Sequence, residues 1–100
     1  MAELLSDQDI TTALRSLPGW ERSGNRLVRD VQTPAHSQDN LERSIAEVAD
    51  ALDHHPDVRR AGDTVHLELW THSAGGVTSK DVELAARIDQ VLSGSSAIGD

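Results

Sequence analysis

The sequence predicts an α+β domain with a two-layer αββαββα fold, in which three helices pack on one face of a four-stranded antiparallel sheet. Two observations predict this fold class. Three stretches repeat apolar residues at the period of a helix, and the stretches between them alternate apolar and polar residues and are interrupted by turn residues. Because short turns join antiparallel strands, we expect two hairpins, covered by helices on one side.

The first three elements are a helix and a hairpin. Ser6 can cap the helix, and Pro18-Gly19 ends it. The apolar face of this helix consists of Ile10, Ala13, Leu14 and Leu17. Strands are predicted over residues 20–22 and 26–32, with turn residues at 23–25 between them.

The second helix is predicted over residues 38–53. Its apolar stripe consists of Leu41, Ile45, Val48, Ala49 and Leu52. Asp39 and Glu42 have the spacing of a capping box if Asp39 is the cap. Pro56 is expected to stop the helix, because the residue before a proline is driven out of the helical region.

The last three elements are a second hairpin and a helix. A weak strand over residues 58–61 and a strongly alternating strand over residues 64–70 are joined by a turn at Gly62-Asp63. Thr78 can cap the third helix, which places Asp81 at the third helical position.

Length and composition limit what the chain can bind. The 100 residues suit one domain, predicted over residues 1–93 with a flexible tail at 94–100. A domain of this size cannot enclose a large pocket, so a ligand site should be a surface cleft or lie between subunits.

The absence of cysteine excludes disulfides and thiolate ligands, and a net charge of −8 disfavours binding of nucleic acid. No apolar run can span a membrane and no secretory signal is evident, so a cytoplasmic location is expected.

Three of the five histidines lie at joints between predicted elements. His54 and His55 occupy the end of the second helix, and His72 follows the long strand. Catalytic groups are often found at such joints, because a rigid scaffold aims them while a loop leaves access. Asp50 lies four residues before His54, so its carboxylate can share a helix face with that imidazole and orient it.

Each of these features also has a purely structural interpretation. The adjacent histidines can complement the dipole at a helix end, and His72 can be a solvated surface residue. A zinc site of three histidines remains open chemically, but adjacent histidines reach one ion poorly and no metal is expected. Gly75-Gly76 can cradle an anion or form a tight turn with positive φ. Of the remaining histidines, His36 is expected in solvent and His66 on a polar strand face.

The segments that carry these residues resemble the pterin-4a-carbinolamine dehydratase family. The shared motifs are an acidic residue before His-His-Pro, a strand ending in Thr-His, Gly-Gly-x-Thr-x-x-Asp, and a helix reading Leu-Ala-x-x-Ile-Asp; they fall at residues 50–57, 65–72, 75–81 and 84–89. The N-terminal half matches more loosely, through Trp20 and the order of its elements. The resemblance implies the same fold and a hydro-lyase that converts a 4a-hydroxytetrahydropterin to a quinonoid dihydropterin in tetrahydrobiopterin recycling, without metal or organic cofactor.

The resemblance also implies a role for each matched position. His54 and His72 correspond to the acid/base histidines, and Asp81 corresponds to a supporting aspartate. Because imidazole has an ordinary pKa of about 6.5, it can give or take a proton at neutral pH. The positions expected to bind the pterin are Asp50, Asp53, His55, Trp70, Thr71 and Ser73.

Partners are also implied by the resemblance. A homodimer is expected first and a tetramer second, and Trp70 is expected as an exposed aromatic on the outer sheet face beside His66 and Glu68. An alternative function stays open, because some proteins of this fold act as dimerisation partners or assembly chaperones, including a group linked to RuBisCO assembly.

The chain departs from the family pattern around the predicted pocket. Aromatic residues usually follow His-His-Pro, whereas the corresponding stretch here contains Asp57, Val58, Gly62 and Asp63. Asp50 stands where glutamate is usual, and Trp70 replaces a small hydroxyl residue. Trp70 can supply a substitute wall for the pocket or obstruct it.

Overall fold

The seven elements occur in the predicted order in the computed structural model, which describes residues 3–97. The helices are α1 (Asp7–Leu14), α2 (Ala35–Leu52) and α3 (Ser79–Ala97), and the strands are β1 (Glu21–Ser23), β2 (Arg26–Gln32), β3 (Asp57–Ala61) and β4 (Thr64–Leu69). All strand pairs are antiparallel, in the order β1-β2-β4-β3. The predicted α+β fold is confirmed. None of the described helices combines the length and the apolar character that crossing a bilayer requires.

One face of the sheet forms the hydrophobic core. Val65, Leu67 and Leu69 of β4 are fully buried, and Leu27 of β2 lies opposite Leu69. The helices add Ile10 from α1, Ile45 and Ala49 from α2, and Leu84, Ala85 and Ile88 from α3 to the same cluster. All three helices therefore cover one face, and the intervening side chains of β4 point away from it.

Asp89 of α3 ties the helix to the first hairpin. Its Oδ1 accepts hydrogen bonds from Trp20 Nε1 at 2.9 Å and from Arg29 Nη1 at 2.5 Å. Trp20 is buried, so its indole N–H needs this acceptor inside the protein. The contact holds α3, whose N-terminus borders the site described below, in register with β2.

Helix α2 begins three residues before its predicted start. Pro34 occupies the cap position without a side-chain bond, so the possible capping box of Asp39 and Glu42 is not formed. The φ of −54° at Pro34 suits entry into a helix. The buried amide of Gln38 then donates to the carbonyls of Thr33 and Gly62, at 2.9 and 2.8 Å. These contacts anchor the first turn to the loop between β3 and β4.

The carboxylates assigned to that capping box instead bind the sheet. Asp39 Oδ1 lies 2.7 Å from Arg60 Nη2, and Glu42 accepts from Arg60 Nε. The hydrogen bond from Arg60 and its charge lower the pKa of Asp39, and the two carboxylates together raise the pKa of Arg60. Because these groups are largely exposed, the cluster stabilises the fold only modestly.

Helix α2 ends through a left-handed residue. Asp53 has φ 52° and ψ 43°, and its N–H bonds the carbonyls of Ala49 and Asp50. The helix has therefore already ended before Pro56 can act on it. The left-handed step at Asp53 sends the chain in a new direction, which decides where His54 and His55 point.

The backbone at Asp53 leads to a stability prediction. Asp53→Ala is expected to be about 1 kcal/mol less stable than Asp53→Gly, because a Cβ disfavours left-handed φ. Glu47 is an exposed position inside α2. There Glu47→Gly should be less stable than Glu47→Ala, since glycine is the poorer helix former by about 1 kcal/mol. Urea unfolding of the four variants measures both differences. The same order at the two positions would contradict the prediction.

Helix α3 continues past the predicted end of the domain at residue 93. Its backbone is helical through Ala97. Serine and glycine lower helix propensity by at most about 1 kcal/mol each, and this stretch lacks a proline that would block the helix. The flexibility expected of residues 94–100 stays a prediction, and residues 98–100 lie outside the described part of the chain.

Candidate active site

A surface cleft of about 480 Å³ opens where the chain leaves α2, enters β3, leaves β4 and enters α3. Its volume falls in the range of small-molecule sites. The lining residues are Asp53, His54, His55, Pro56, Asp57, Trp70, Thr71, His72, Ser73 and Lys80. The three histidines singled out in the sequence therefore share one cleft.

His54 is anchored from behind by a buried carboxylate. Asp81 is fully buried, and its Oδ1 lies 2.6 Å from His54 Nε2. An ionised carboxylate can only accept a hydrogen bond, so His54 donates from Nε2. In the neutral imidazole the lone pair is then on Nδ1, which is the nitrogen left to exchange a proton with a ligand.

Two threonines hold Asp81 in turn. Its Oδ2 accepts from the Thr71 hydroxyl at 2.8 Å and from the Thr78 N–H at 2.9 Å. Because the Thr71 proton is used in this way, the Thr78 hydroxyl donates to Thr71 across 2.7 Å. The Thr78 oxygen also accepts the Lys80 N–H at 3.2 Å. These bonds complete the predicted cap of α3 and orient the carboxylate toward His54.

His55 has a different and more exposed partner. Its Nε2 lies 2.7 Å from Asp50 Oδ1, and the two side chains are 55% and 74% exposed. The prediction that Asp50 orients His54 is therefore wrong, because the left-handed Asp53 breaks the helical spacing between them. Asp50 also lies outside the set of residues that line the cleft.

Trp70 and His72 stack on each other at the cleft. Their ring centroids are 4.3 Å apart and their planes are inclined by 36°. Arg26 of β2 places its Cζ 3.8 Å from the centroid of the Trp70 ring. Trp70 is consequently half-buried rather than exposed as predicted, because Arg26 and His72 cover parts of the indole.

The Gly75-Gly76 loop is a tight turn. Gly75 has φ 78°, and the N–H groups of Ala74, Gly75 and Gly76 all point to the carbonyl of Thr71. Since these donors are already used within the turn, the structural interpretation of the two glycines is confirmed and the anion cradle is not formed. The turn returns the chain from Thr71 to the start of α3.

Comparison with known proteins agrees with the motifs in the cleft. Residues 3–91 match the family model described as Pterin 4 alpha carbinolamine dehydratase. The chain belongs to this family. Relatives that carry the provisional name pterin-4-alpha-carbinolamine dehydratase include one from Nocardia farcinica, 46% identical over 90 residues, which are 89% of this chain and 95% of that protein. Another, from Mycobacteroides abscessus, is 48% identical over 88 residues, 86% of this chain and 93% of that protein.

A solved structure is similar throughout. The crystal structure of a transcriptional coactivator/pterin dehydratase from Brucella melitensis has a TM-score of 0.81 and 29% sequence identity, covering 87% of this chain and 96% of that one. The resemblance drawn from the His-His-Pro, Thr-His and Gly-Gly-x-Thr-x-x-Asp motifs is thereby confirmed as membership of the pterin carbinolamine dehydratase family.

The structure of this pterin dehydratase family member adds residues that the sequence did not single out. Pro56 and Lys80 line the cleft, and the Thr78 hydroxyl, expected only as a helix cap, lies behind Asp81. Lys80 could have been singled out from the sequence, because it lies between the threonine and the aspartate of the Gly-Gly-x-Thr-x-x-Asp motif. In residues 3–97 no three histidine, aspartate or glutamate side chains are grouped so that they could hold a metal ion. His36 is exposed, as expected.

The outer face of the sheet in this family member carries a charged cluster around His66. Its Nδ1 lies 2.5 Å from Asp30 Oδ1 and its Nε2 lies 2.8 Å from Glu68 Oε2, while Glu68 Oε1 lies 2.5 Å from Arg26 Nη1. The hydrogen bond that His66 donates to Asp30, followed by the one it donates to Glu68, raises the pKa of His66. The hydrogen bonds from Arg26 and then His66 lower the pKa of Glu68. The predicted polar strand face is confirmed.

Because of this cluster, we expect the free energy of unfolding to depend on pH. Because the folded pKa of His66 is raised, its imidazolium stabilises the fold fully below the unfolded pKa of about 6.5, and the contribution is lost as pH rises through the folded value. His66→Gln should therefore cost more stability at pH 6 than at pH 9, measured by urea unfolding. His36→Gln is the control without such a difference. Equal losses for His66→Gln at both pH values would refute the prediction.

Proposed function

We propose that the protein dehydrates a 4a-hydroxytetrahydropterin to a quinonoid dihydropterin, as a hydro-lyase in tetrahydrobiopterin recycling. The observation that carries the proposal is the convergence of His54, His55 and His72 on one cleft, with Asp81 buried behind His54. Family membership supports the pterin as the class of substrate.

The reaction needs two proton transfers. The C4a–O bond breaks as the leaving oxygen accepts a proton, so the hydroxyl departs as water. A neighbouring ring nitrogen supplies the electron pair for the new double bond, and a ring nitrogen gives up its proton. One group must therefore act as an acid and another as a base, and each positioned group contributes about 10²–10⁴-fold to the rate.

His54 and His72 are the proposed acid and base. His54 has Nε2 engaged by Asp81, which leaves Nδ1 for the substrate. His72 stacks on Trp70 at the same cleft and is exposed, so it can exchange protons with solvent after each turnover. Asp81 acts by holding one tautomer and one orientation of His54. No metal or organic cofactor takes part in the proposed steps.

The remaining cleft residues are proposed to bind the pterin. The carboxylate of Asp53 and the hydroxyl of Ser73 can pair with the polar edge of the heterocycle, and Trp70 offers an apolar wall. His55 contacts the ring, and Asp50 acts indirectly by orienting His55. Thr71 lines the cleft, but its hydroxyl is engaged by Asp81 and Thr78, so it contributes mainly through that network.

The proposal is tested by stopped-flow spectroscopy with synthetic carbinolamine. The purified protein should accelerate the appearance of quinonoid dihydropterin above the buffer rate and should saturate with substrate. Calorimetry with an oxidised pterin that does not react should give saturable binding at one site per chain. Failure to exceed the buffer rate would exclude the dehydratase function.

A protein-binding module is the second candidate. The observation in its favour is the replacement of aromatic positions after His-His-Pro, where Asp57, Val58, Gly62 and Asp63 stand. The similar Brucella melitensis structure is described as a transcriptional coactivator as well as a pterin dehydratase. A chain that acts only as a dimerisation or assembly module should leave the calorimetric pterin titration flat, whereas the enzyme should not.

A cytoplasmic homodimer is the proposed state of the protein, with a tetramer as the alternative. This proposal rests on the family resemblance. Light scattering at micromolar concentration should give about twice the 10.8 kDa mass of one chain. A mass of one chain would contradict it.

A further inference from the structure

Arg26 lies outside the cleft, at the start of β2 on the outer face of the sheet. We propose that Arg26 is a positioning residue, which fixes the Trp70 indole and through it the His72 imidazole at the wall of the cleft. The inference rests on the proposed function, because it assigns His72 a part in catalysis.

The contact between Arg26 and Trp70 is a stack. Leu27 pairs with Leu69 across the sheet, so Arg26 and Trp70 come next to each other as the strands continue. The guanidinium carbon lies 3.8 Å from the ring centroid. A planar guanidinium at this distance combines cation–π attraction with stacking, which a lysine ammonium does not reproduce.

Arg26 is itself held by the sheet. Its Nη1 lies 2.5 Å from Glu68 Oε1, and the other oxygen of Glu68 lies 2.8 Å from His66 Nε2. His66 in turn binds Asp30. The Arg26 side chain is 38% exposed and that of Glu68 is 17% exposed, so the ion pair is partly shielded from solvent. The guanidinium is therefore oriented by a connected set of charges.

The same indole also contacts His72. Glu68, which binds Arg26, precedes Trp70 by two residues, and His72 follows Trp70 by two. The ring centroids of Trp70 and His72 are 4.3 Å apart. Trp70 thus contacts both Arg26, on the outer sheet face, and His72, which lines the cleft.

The orientation of the His72 imidazole depends on ring stacking more than the orientations of His54 and His55 do. His54 and His55 each bind a carboxylate. Within residues 3–97 the His72 ring has no hydrogen-bond partner, and its ring contact is with Trp70. Stacking is then the interaction that restricts the imidazole to one orientation, and loosening it should slow a proton transfer that needs close alignment.

The test replaces Arg26 by methionine, which keeps an unbranched, flexible side chain but removes the planar charge. In the parent protein the ring protons of His72, identified by their loss in His72→Gln, should resonate upfield because the indole lies against them. In Arg26→Met they should move toward their unstacked positions, and kcat should fall about 3–10-fold. Arg26→Lys should be intermediate. Arg22→Met, which removes an exposed partner of Asp7, is the matched control.

The His72 resonances and kcat together distinguish failure of the positioning role from failure of the proposed function. Unchanged His72 resonances in Arg26→Met, or a kcat equal to that of the parent, would overturn the positioning role. If the parent itself fails to dehydrate carbinolamine, the proposed function is lost, while the resonances still decide whether Arg26 orients His72. If Arg26→Met does not fold, Glu68→Gln provides the same test, with smaller changes in the same direction, because it weakens the hold on Arg26.

Discussion

Replacing His54 or His72 by alanine is expected to lower kcat for carbinolamine dehydration by about 10²–10⁴-fold. Each variant removes one of the two groups that we propose exchange protons with the substrate. For His54 the loss should fall mainly on kcat, because the imidazole is aligned by Asp81 for chemistry rather than for binding. Stopped-flow turnover across a range of substrate concentrations separates kcat from KM.

The control for both variants is His36→Ala. His36 is exposed in the first turn of α2 and does not line the cleft, so its removal should leave kcat unchanged. Two single variants that retain the parental rate would show that neither imidazole takes part. An equal loss in His36→Ala would point to a general effect on the protein.

Asp81→Asn is expected to lower kcat by about 10²-fold. One carboxylate oxygen accepts from His54 Nε2 and the other from Thr71 and the Thr78 N–H. An asparagine has one oxygen, so its NH₂ group must face donors on one of the two sides. If the NH₂ faces His54, the imidazole must switch tautomer, and its lone pair leaves Nδ1. A misplaced tautomer in a histidine–carboxylate pair can abolish most of the acid/base contribution.

The fold of Asp81→Asn should also be weaker, by about 1–3 kcal/mol, because its buried hydrogen bonds lose the carboxylate charge that strengthens them. Asp89→Asn is the matched control, since Asp89 is another α3 carboxylate that accepts two hydrogen bonds, from Trp20 and Arg29. It should lose stability in urea unfolding and keep the parental kcat. A similar loss of kcat in both variants would indicate that destabilisation, rather than the orientation of His54, is responsible.

Helices and strands were predictable where local periodicity and packing agree. The alternation in β4 places Val65, Leu67 and Leu69 in the core because successive side chains of a strand point to opposite faces. The cap formed by Thr78 and Asp81 was also predictable, since it depends on a spacing of three residues. The start of α2 was not, because the Gln38 amide that anchors its first turn binds the distant carbonyl of Gly62.

For the site, the sequence by itself determined which side chains can exchange protons and where the helices and strands that carry them end. Motif spacing was enough to single out His54 and His72, which line one cleft, and Asp81, which binds His54. Only the tertiary structure decided the partners: Asp50 binds His55 and Asp81 binds His54, since one left-handed residue redirects the backbone. Arg26 reaches Trp70 only through strand pairing, and such long-range contacts depend on the folded sheet rather than on local sequence.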